Sequence, residues 1–172
     1  MPPAFKFCPR CGLSLSTRDD GGLPRLACSD EACGFIHYEN PTPVVAAIVE
    51  LPDGVVLARG RGWPEKVFGL PTGFLEKGED PASAVVREVK EELSLDATVT
   101  KLVGLYSFEA QNQLIIAYHL TANGAITLND ELEQYKIIPV EKLRGWPFAT
   151  GLAVTGWLES KNRPHRLTAD LR

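Results

Sequence analysis

At 172 residues, with 18 basic and 22 acidic side chains, the chain carries a formal net charge of −4 and is 44% apolar. It is long enough for one ordinary domain plus a small module, and a chain of this size buries roughly 70% of its unfolded surface. The slightly acidic balance excludes a general pull toward nucleic acid or anionic membrane, and no apolar run approaches the roughly 18 residues of a membrane span. The start, MPPAFKF, lacks the basic head and apolar core of a signal peptide, so a cytoplasmic location is expected.

All four cysteines fall in the first predicted module: Cys8-Pro9-Arg10-Cys11-Gly12, then Cys28 and Cys33-Gly34. Two close pairs separated by the polar, glycine-bearing segment 13–27 have the layout of a zinc ribbon, in which two turns each present two thiolates to one tetrahedral Zn²⁺. The first pair has the commoner spacing of two, while the second has four intervening residues, still within ligand spacing. Disulfides are the alternative, but a cytosolic chain keeps its thiols reduced. A site that uses all four cysteines has no position left for a catalytic water, so the metal is read as structural. Nucleic-acid binding by the ribbon is not favoured, because Lys6, Arg10, Arg18 and Arg25 are outnumbered by Asp19, Asp20, Asp30, Glu31 and Glu39. His37 and Tyr38 close the module; with the coordination already filled, His37 reads as a packing or surface residue.

Glu39-Asn40-Pro41-Thr42-Pro43 marks a boundary, giving a ribbon over residues 1–39 and a main domain over 40–172. Residues 44–51, nearly all apolar, predict a buried strand, 52–54 a hairpin turn and 55–61 its partner. Residues 63–66 read as a loop, and 67–75, interrupted by Gly69, Pro71 and Gly73, as an irregular segment. Asp80 is suited to cap a helix, with Pro81 at its first position and acidic residues around its first turn.

Winding residues 82–93 at roughly 100° per residue gathers Val85, Val86, Val89 and Leu93 on one side and Glu88, Glu91 and Glu92 on another. Like charges three and four apart cost a few tenths of a kcal/mol per pair. Arg87 and Lys90 flank the strip, and Glu76 and Glu79 enlarge the acidic field. Such a strip suits a solvated face; it also suits a hard divalent ion such as Mg²⁺, which takes oxygen ligands.

Beyond the helix, strands are predicted over 97–108 and 113–121, then an Asn123-Gly124 turn with a short strand over 126–128, and another strand over 133–139. A helical turn at 140–143 and a closing helix over 151–158 follow, the latter packing through Leu152, Val154 and Leu158. The charged tail from Lys161 to Arg172 is expected to be loosely held. Strands flanking a central helix suit an α/β/α sandwich with a mixed sheet.

Gly73, five residues, Glu79, seven residues, then Arg87-Glu88-Val89-Lys90-Glu91-Glu92 and Leu95 resemble the signature of the Nudix hydrolases, G-x5-E-x7-R-E-U-x-E-E-x-G-U. One position departs: Ser94 stands where the family has glycine, at a helix end where glycine most easily turns left-handed. The resemblance covers about residues 43–160, with its specific evidence in 70–95. Joined to the ribbon, it is similar to the zinc-ribbon branch that includes the NADH pyrophosphatases. It implies a Nudix-type α/β/α sandwich and metal-dependent cleavage of a phosphoanhydride. Such a reaction needs charge withdrawn from the phosphoryl oxygens, a water held in line and the leaving phosphate steadied.

On that resemblance, Glu88 and Glu92, one helical turn apart, are principal ligands for Mg²⁺ or Mn²⁺, with Glu91 completing the site. Arg87 orients the glutamates, and Glu79 pairs with it or acts behind it. Glu88 is the first choice of general base, Glu109 or Glu131 the second. Gly73 is expected to let the chain turn so that the carboxylates face the cleft.

The substrate is less legible. NADH pyrophosphatases carry S-Q-P-W-P-F-P-x-S after this signature, whereas residues 107–113 here read SFEAQNQ, without the tryptophan and prolines, so NADH specificity is not supported. Trp146-Pro147-Phe148 is read as packing before the last helix, and Phe108, Trp63 or Phe68 as core or loop residues that could stack on a base. The implied substrate is a nucleoside diphosphate linked to another moiety, such as ADP-ribose, NADH, FAD or a nucleotide sugar. A nucleoside triphosphate or capped RNA stays open, although a nucleic-acid partner is not favoured. The rival class is a non-catalytic nucleotide sensor or interaction protein. A homodimer is expected by analogy with ribbon-bearing relatives.

Overall fold

In the computed structural model, which describes residues 5–162, the chain divides between Pro41 and Thr42. The N-terminal unit is a three-stranded antiparallel sheet, β1 (Leu15–Asp20), β2 (Leu23–Cys28) and β3 (Ile36–His37), in that order. Gly21 and Gly22 join β1 to β2 with φ of 64° and 85°, the paired positive values that a two-residue hairpin turn requires. The buried apolar side chains among the described residues of this unit are Cys8, Ala27 and Cys28. So small an interior does not offset chain entropy by itself.

The second unit is organised by β4 (Thr42–Leu51), which supplies one side chain in two to each face of a six-stranded sheet. Val45, Ala47, Val49 and Leu51 pack into one apolar cluster with Ala84, Val85, Val89 and Leu93 of α1 (Pro81–Leu93). Ala46 and Ile48 pack into the other with Ala153, Val154, Trp157 and Leu158 of α2 (Thr150–Ser160). A strand covered on both faces has no solvent side to make polar, hence its unbroken apolar run.

Along one edge β4 pairs in parallel with β8 (Gln113–Asn123), which pairs antiparallel with β7 (Asp96–Phe108). Along the other, only the last residues of β4 meet β5 (Gly54–Gly60), and the first meet β6 (Thr72–Phe74). β5 carries β9 (Leu132–Ile138) on its far side. The mixed-sheet α/β/α sandwich is thus the observed fold, and the irregular stretch 67–75 resolves into a bridge at Gly69 and the strand β6.

The strand expected over 126–128 does not form. Its backbone is spent on the end of α1: the N–H of Thr127 donates to Leu93 O at 3.0 Å and that of Asn129 to Glu92 O at 3.2 Å. Ile126 and Leu128 pack against the α1 cluster. Helix-terminal carbonyls without intrahelical partners thus outcompete a sheet edge. The Asp80 cap is as expected, its carboxylate accepting from the N–H groups of Ala82 and Ser83, but no acidic residue lies in the first turn. Ser94 takes the left-handed conformation, φ 59°, that the glycine would have taken. Of the expected loose tail, residues 163–172 lie outside the described residues, while Lys161 is held by Glu50, with both oxygens 2.9 Å away.

Candidate active site

Helix α1 presents its acidic strip to the segment that precedes it, and Arg87 is the node. Its Nε and Nη2 donate to the two oxygens of Glu79 at 2.9 and 3.0 Å, its Nη1 to Glu88 at 2.8 Å and to Glu91 at 3.1 Å, and its Nη2 also to the Phe74 carbonyl at 3.3 Å. The planar guanidinium thereby sets three carboxylates at once, with a bidentate grip on Glu79 that a lysine cannot make. That grip holds the Glu79 carboxyl below its ordinary range against some desolvation. Glu88 ends up raised, because burial and the nearby Glu91 and Glu131 outweigh Arg87.

Glu92 is different. It points inward, is 6% exposed, and its Oε2 has no hydrogen-bond partner. Burial, then Glu88 and Glu131, push its carboxyl up to about 8. A buried carboxyl oxygen without a partner, facing further carboxylates, is a place for a cation.

Gly73 sits in β6 opposite Val45. A Cβ built on it would overlap the Glu88 carboxyl carbon and both its oxygens. The expectation that this glycine serves a turn is therefore corrected: its φ is not positive, and it is a strand residue whose missing side chain leaves the space that Glu88 fills. Gly73, Phe74, Glu76, Arg87, Glu88, Glu91, Asn129 and Glu131 line a polar cleft of about 450 Å³. Glu131 thus approaches from the loop before β9. Glu109, the other second choice of base, lies on a short 3-10 turn (Glu109–Gln111) and is not among the lining residues.

A second cavity, about 410 Å³, shares Val44, Thr72 and Gln113 with the cleft. It is apolar, and its walls include Trp63, Phe68, Phe108, Trp146 and Phe148. Trp146 is buried as a packing residue, but Phe148 is exposed and faces this cavity, so the segment 146–148 does more than fill the core. Sequence reasoning had no handle on Gln113, Thr150 or Ala149, which also line it. The one available signal was the run of aromatics before α2.

In the N-terminal unit the four cysteine sulfurs lie within 4.8 Å of one another, with Cys8 to Cys33 at 3.7 Å and Cys11 to Cys28 at 3.4 Å. No disulfide joins them. Burial and neighbouring sulfurs push the Cys28 thiol up to about 12. At Cys8 burial opposes the backbone N–H groups of Arg10 and Cys11, which win and leave its thiol at about 7. Four thiolates share this space only with a cation among them, and tetrahedral Zn²⁺ suits four sulfurs so placed.

Comparison with known proteins bears on both units. Residues 40–154 match the NUDIX domain family and residues 6–39 the family described as Nudix N-terminal, a zinc ribbon. The chain is 25% identical over 150 residues to the NAD-capped RNA hydrolase NudC of Pseudomonas aeruginosa, covering 86% of this chain and 52% of that protein. It is 33% identical over 120 residues to the human NAD-capped RNA hydrolase NUDT12, covering 65% of this chain and 26% of that one. The chain spans about half the length of the bacterial relatives it matches. Among solved structures, a NUDIX hydrolase from Nitrosomonas europaea superposes with a TM-score of 0.74 at 24% identity, over 94% of this chain and 96% of that one. An ADP-ribose pyrophosphatase from Streptococcus suis does so with a TM-score of 0.58 at 19% identity, over 75% and 97%.

Proposed function

Because this chain belongs to the NUDIX domain family, we propose that it is a metal-dependent pyrophosphohydrolase that cleaves the phosphoanhydride of a nucleoside diphosphate linked to another moiety. The observation that carries this reading is Glu92, a buried carboxyl with an unpartnered oxygen that lines a smaller cavity with Glu131 and stands near Glu88, a carboxylate that Arg87 already orients together with Glu91. Glu88, Glu91 and Glu92, with Glu131 opposite, are the residues that would hold Mg²⁺ or Mn²⁺. Bound there, the ion supplies positive charge to the phosphoryl oxygens.

The chain's own groups do the rest. Arg87 holds Glu88 and Glu91 in place and, through Glu79, fastens the loop to the helix. Glu88, the proposed base, is fixed between Arg87 and the bare face of Gly73 and accepts the proton of the attacking water. Glu131 is the second candidate, from the opposite wall. The aromatic cavity adjoining the cleft is proposed to take a planar ring of the substrate by stacking, with Gln113 and Thr72 at the junction.

Substrate candidates are ADP-ribose, NADH, FAD and nucleotide sugars. Bacterial and human relatives named as NAD-capped RNA hydrolases bring a capped 5′ end into the same class, since it also presents a dinucleotide pyrophosphate. The zinc site is proposed as structural, the chain as cytoplasmic, and the assembly as a homodimer, which sedimentation at micromolar concentration tests. No helix among the described residues is long and apolar enough to cross a membrane.

The deciding experiment is a panel of ADP-ribose, NADH, FAD, a nucleotide sugar and NAD-capped RNA with Mg²⁺ or Mn²⁺, followed by release of the nucleoside monophosphate. Turnover that disappears in Glu88→Gln and Glu92→Gln supports hydrolysis. Binding of these compounds without turnover assigns the domain to nucleotide sensing instead.

A further inference from the structure

The polar cleft and the aromatic cavity are bordered by two loops that leave a paired ladder: residues 60–64 after β5 and residues 129–131 before β9. β5 and β9 pair regularly until the register shifts between Arg59 and Gly60. Beyond that shift the two loops are tied largely by arginines. Arg59 Nη2 lies 2.9 Å from Glu133 Oε2, and its Nη1 donates to the Trp63 carbonyl at 3.4 Å. The N–H of Gly62 donates to the other oxygen of Glu133, also at 3.4 Å. Arg61 reaches the opposite loop: its backbone N–H donates to Glu131 O and its Nε to Asp130 O, both at 2.7 Å.

The two ties hold different things. The Arg59 tie, with the main-chain bond from Trp63 N–H to Gly60 O at 3.1 Å, closes the turn that carries Trp63, whose indole lies against two glycines; a Cβ at Gly60 would come within 2.9 Å of the ring and one at Gly69 within 3.3 Å. Trp63 is a wall of the aromatic cavity. The Arg61 side chain, through Asp130 O, adds to a main-chain bond from residue 61 to Glu131 O, and the two together fix the backbone from which Glu131 projects into the acidic cleft. The Arg59 guanidinium serves two acceptors at once, which a single ammonium group does poorly, while Arg61 spans from one loop to the other through its Nε.

Resting on the hydrolase reading above, we propose that Arg59 and Arg61 are positioning residues with separate duties: Arg59 sets the Trp63 wall that receives the substrate ring, and Arg61 sets the reach of Glu131 toward the divalent cation. Neither touches substrate. The consequence is a division of kinetic effects between two side chains only two positions apart.

The test uses the full-length protein and two binding measurements that need no turnover. Mn²⁺ affinity is read by the paramagnetic resonance of the free ion, and AMP affinity by calorimetry. Arg61→Ala keeps the main-chain bond to Glu131 O and loses only the bond to Asp130 O; it is expected to weaken Mn²⁺ by about fivefold, below the roughly tenfold cost of losing a direct outer partner of a metal ligand, and to leave AMP affinity within about twofold. Repeated in a Glu131→Gln background, the same change costs less than about twofold, because the residue it acts through is gone. Arg59→Ala is expected to weaken AMP by about tenfold with Mn²⁺ affinity unmoved, and to lose that effect in a Trp63→Ala background. Arg59→Lys and Arg61→Lys recover part of each loss, and stand in for the alanine variants should either lower Tm.

The proposal is overturned if either arginine change costs the same in both backgrounds, if both change Mn²⁺ and AMP affinity by equal factors, or if neither changes anything. A wild-type protein that binds Mn²⁺ and AMP yet hydrolyses nothing sinks the hydrolase reading, while the two binding cycles still decide this one.

Discussion

The two units each gather like-charged ligands and solve the resulting repulsion in opposite ways. In the ribbon, four sulfurs lie within 4.8 Å of one another, and a cation among them would offset their charge; with all four as ligands every position is spent and the site is closed. In the acidic cleft, Arg87 neutralises part of the cluster from within, bonding Glu79, Glu88 and Glu91, and leaves the buried Glu92 with a free oxygen. On the hydrolase reading proposed above, that difference separates a metal that holds a fold from a metal that works on a ligand. A site meant for chemistry must keep ligand positions available, so its protein scaffold has to stand without the ion.

This contrast is open to experiment, beginning with the largest expected effect. Cys28→Ser is expected to abolish zinc binding and the folded state of the ribbon, measured as zinc released per chain, while the main domain keeps its cooperative melt. If the main domain melts as well, the two sites are not independent.

Next, Glu92→Gln is expected to lower kcat by about 10³-fold through loss of a ligand to the divalent ion while leaving the zinc content at one per chain. Because glutamine keeps the shape but not the charge, thermal stability without added Mg²⁺ should hold or rise. Retained turnover at saturating Mg²⁺ would remove Glu92 from the chemistry.

Gly73→Ala is expected to cost about 10²-fold in kcat, the order of loss that follows when a reacting group is displaced by about 1 Å. The methyl group claims the space of the Glu88 carboxyl. The loss should be much smaller in a Glu88→Ala background, where that space is vacant, and equal losses in the two backgrounds would contradict the packing argument.

A third charged cluster provides a control that needs no cation. His119 Nε2 lies 2.7 Å from Glu50, and Lys161 bonds the same carboxylate. Burial lowers His119, against Glu50 and with help from Lys161 and Lys101. Burial raises Glu50, but Lys161 and His119 win and leave it low. Both folded values lie below the unfolded ones, so the folded state binds fewer protons and stability falls with acidity. The loss begins below about pH 6.5 for His119 and below about 4.5 for Glu50. Glu88 and Glu92, both raised, contribute in the opposite sense over the same range, so urea midpoints are followed from pH 7 to 4 in a Glu88→Gln, Glu92→Gln background, where Glu50→Gln should flatten the lower part of the curve.

The smallest effect is expected at Ser94, held at φ 59°. Ser94→Gly relieves a left-handed strain of about 1 kcal/mol and should raise stability by that order with no change in kcat.

What could be read from the residues in order was whatever local chemistry dictates. The Asp80-Pro81 start of α1, the separation of its valines from its glutamates, the doubly apolar run of β4 and the cysteine spacing each follow from a period or a short-range hydrogen bond, and each stands in the fold. Where local preference met a stronger distant demand, it lost: residues 126–128, patterned as a strand, give their N–H groups to the exposed carbonyls at the end of α1. Gly73 was read as a turn because glycine's usual signal is local; its actual role depends on a carboxyl group fifteen residues ahead. The carboxylates of α1 were visible because a helix places them together by itself. Glu131 and Trp63 were only secondary choices and Phe148 was read as packing, because only the pairing of β5 with β9 and the packing of α2 on the sheet bring those loops to the same cleft and cavity, and pairing of distant strands leaves no periodic mark on either one.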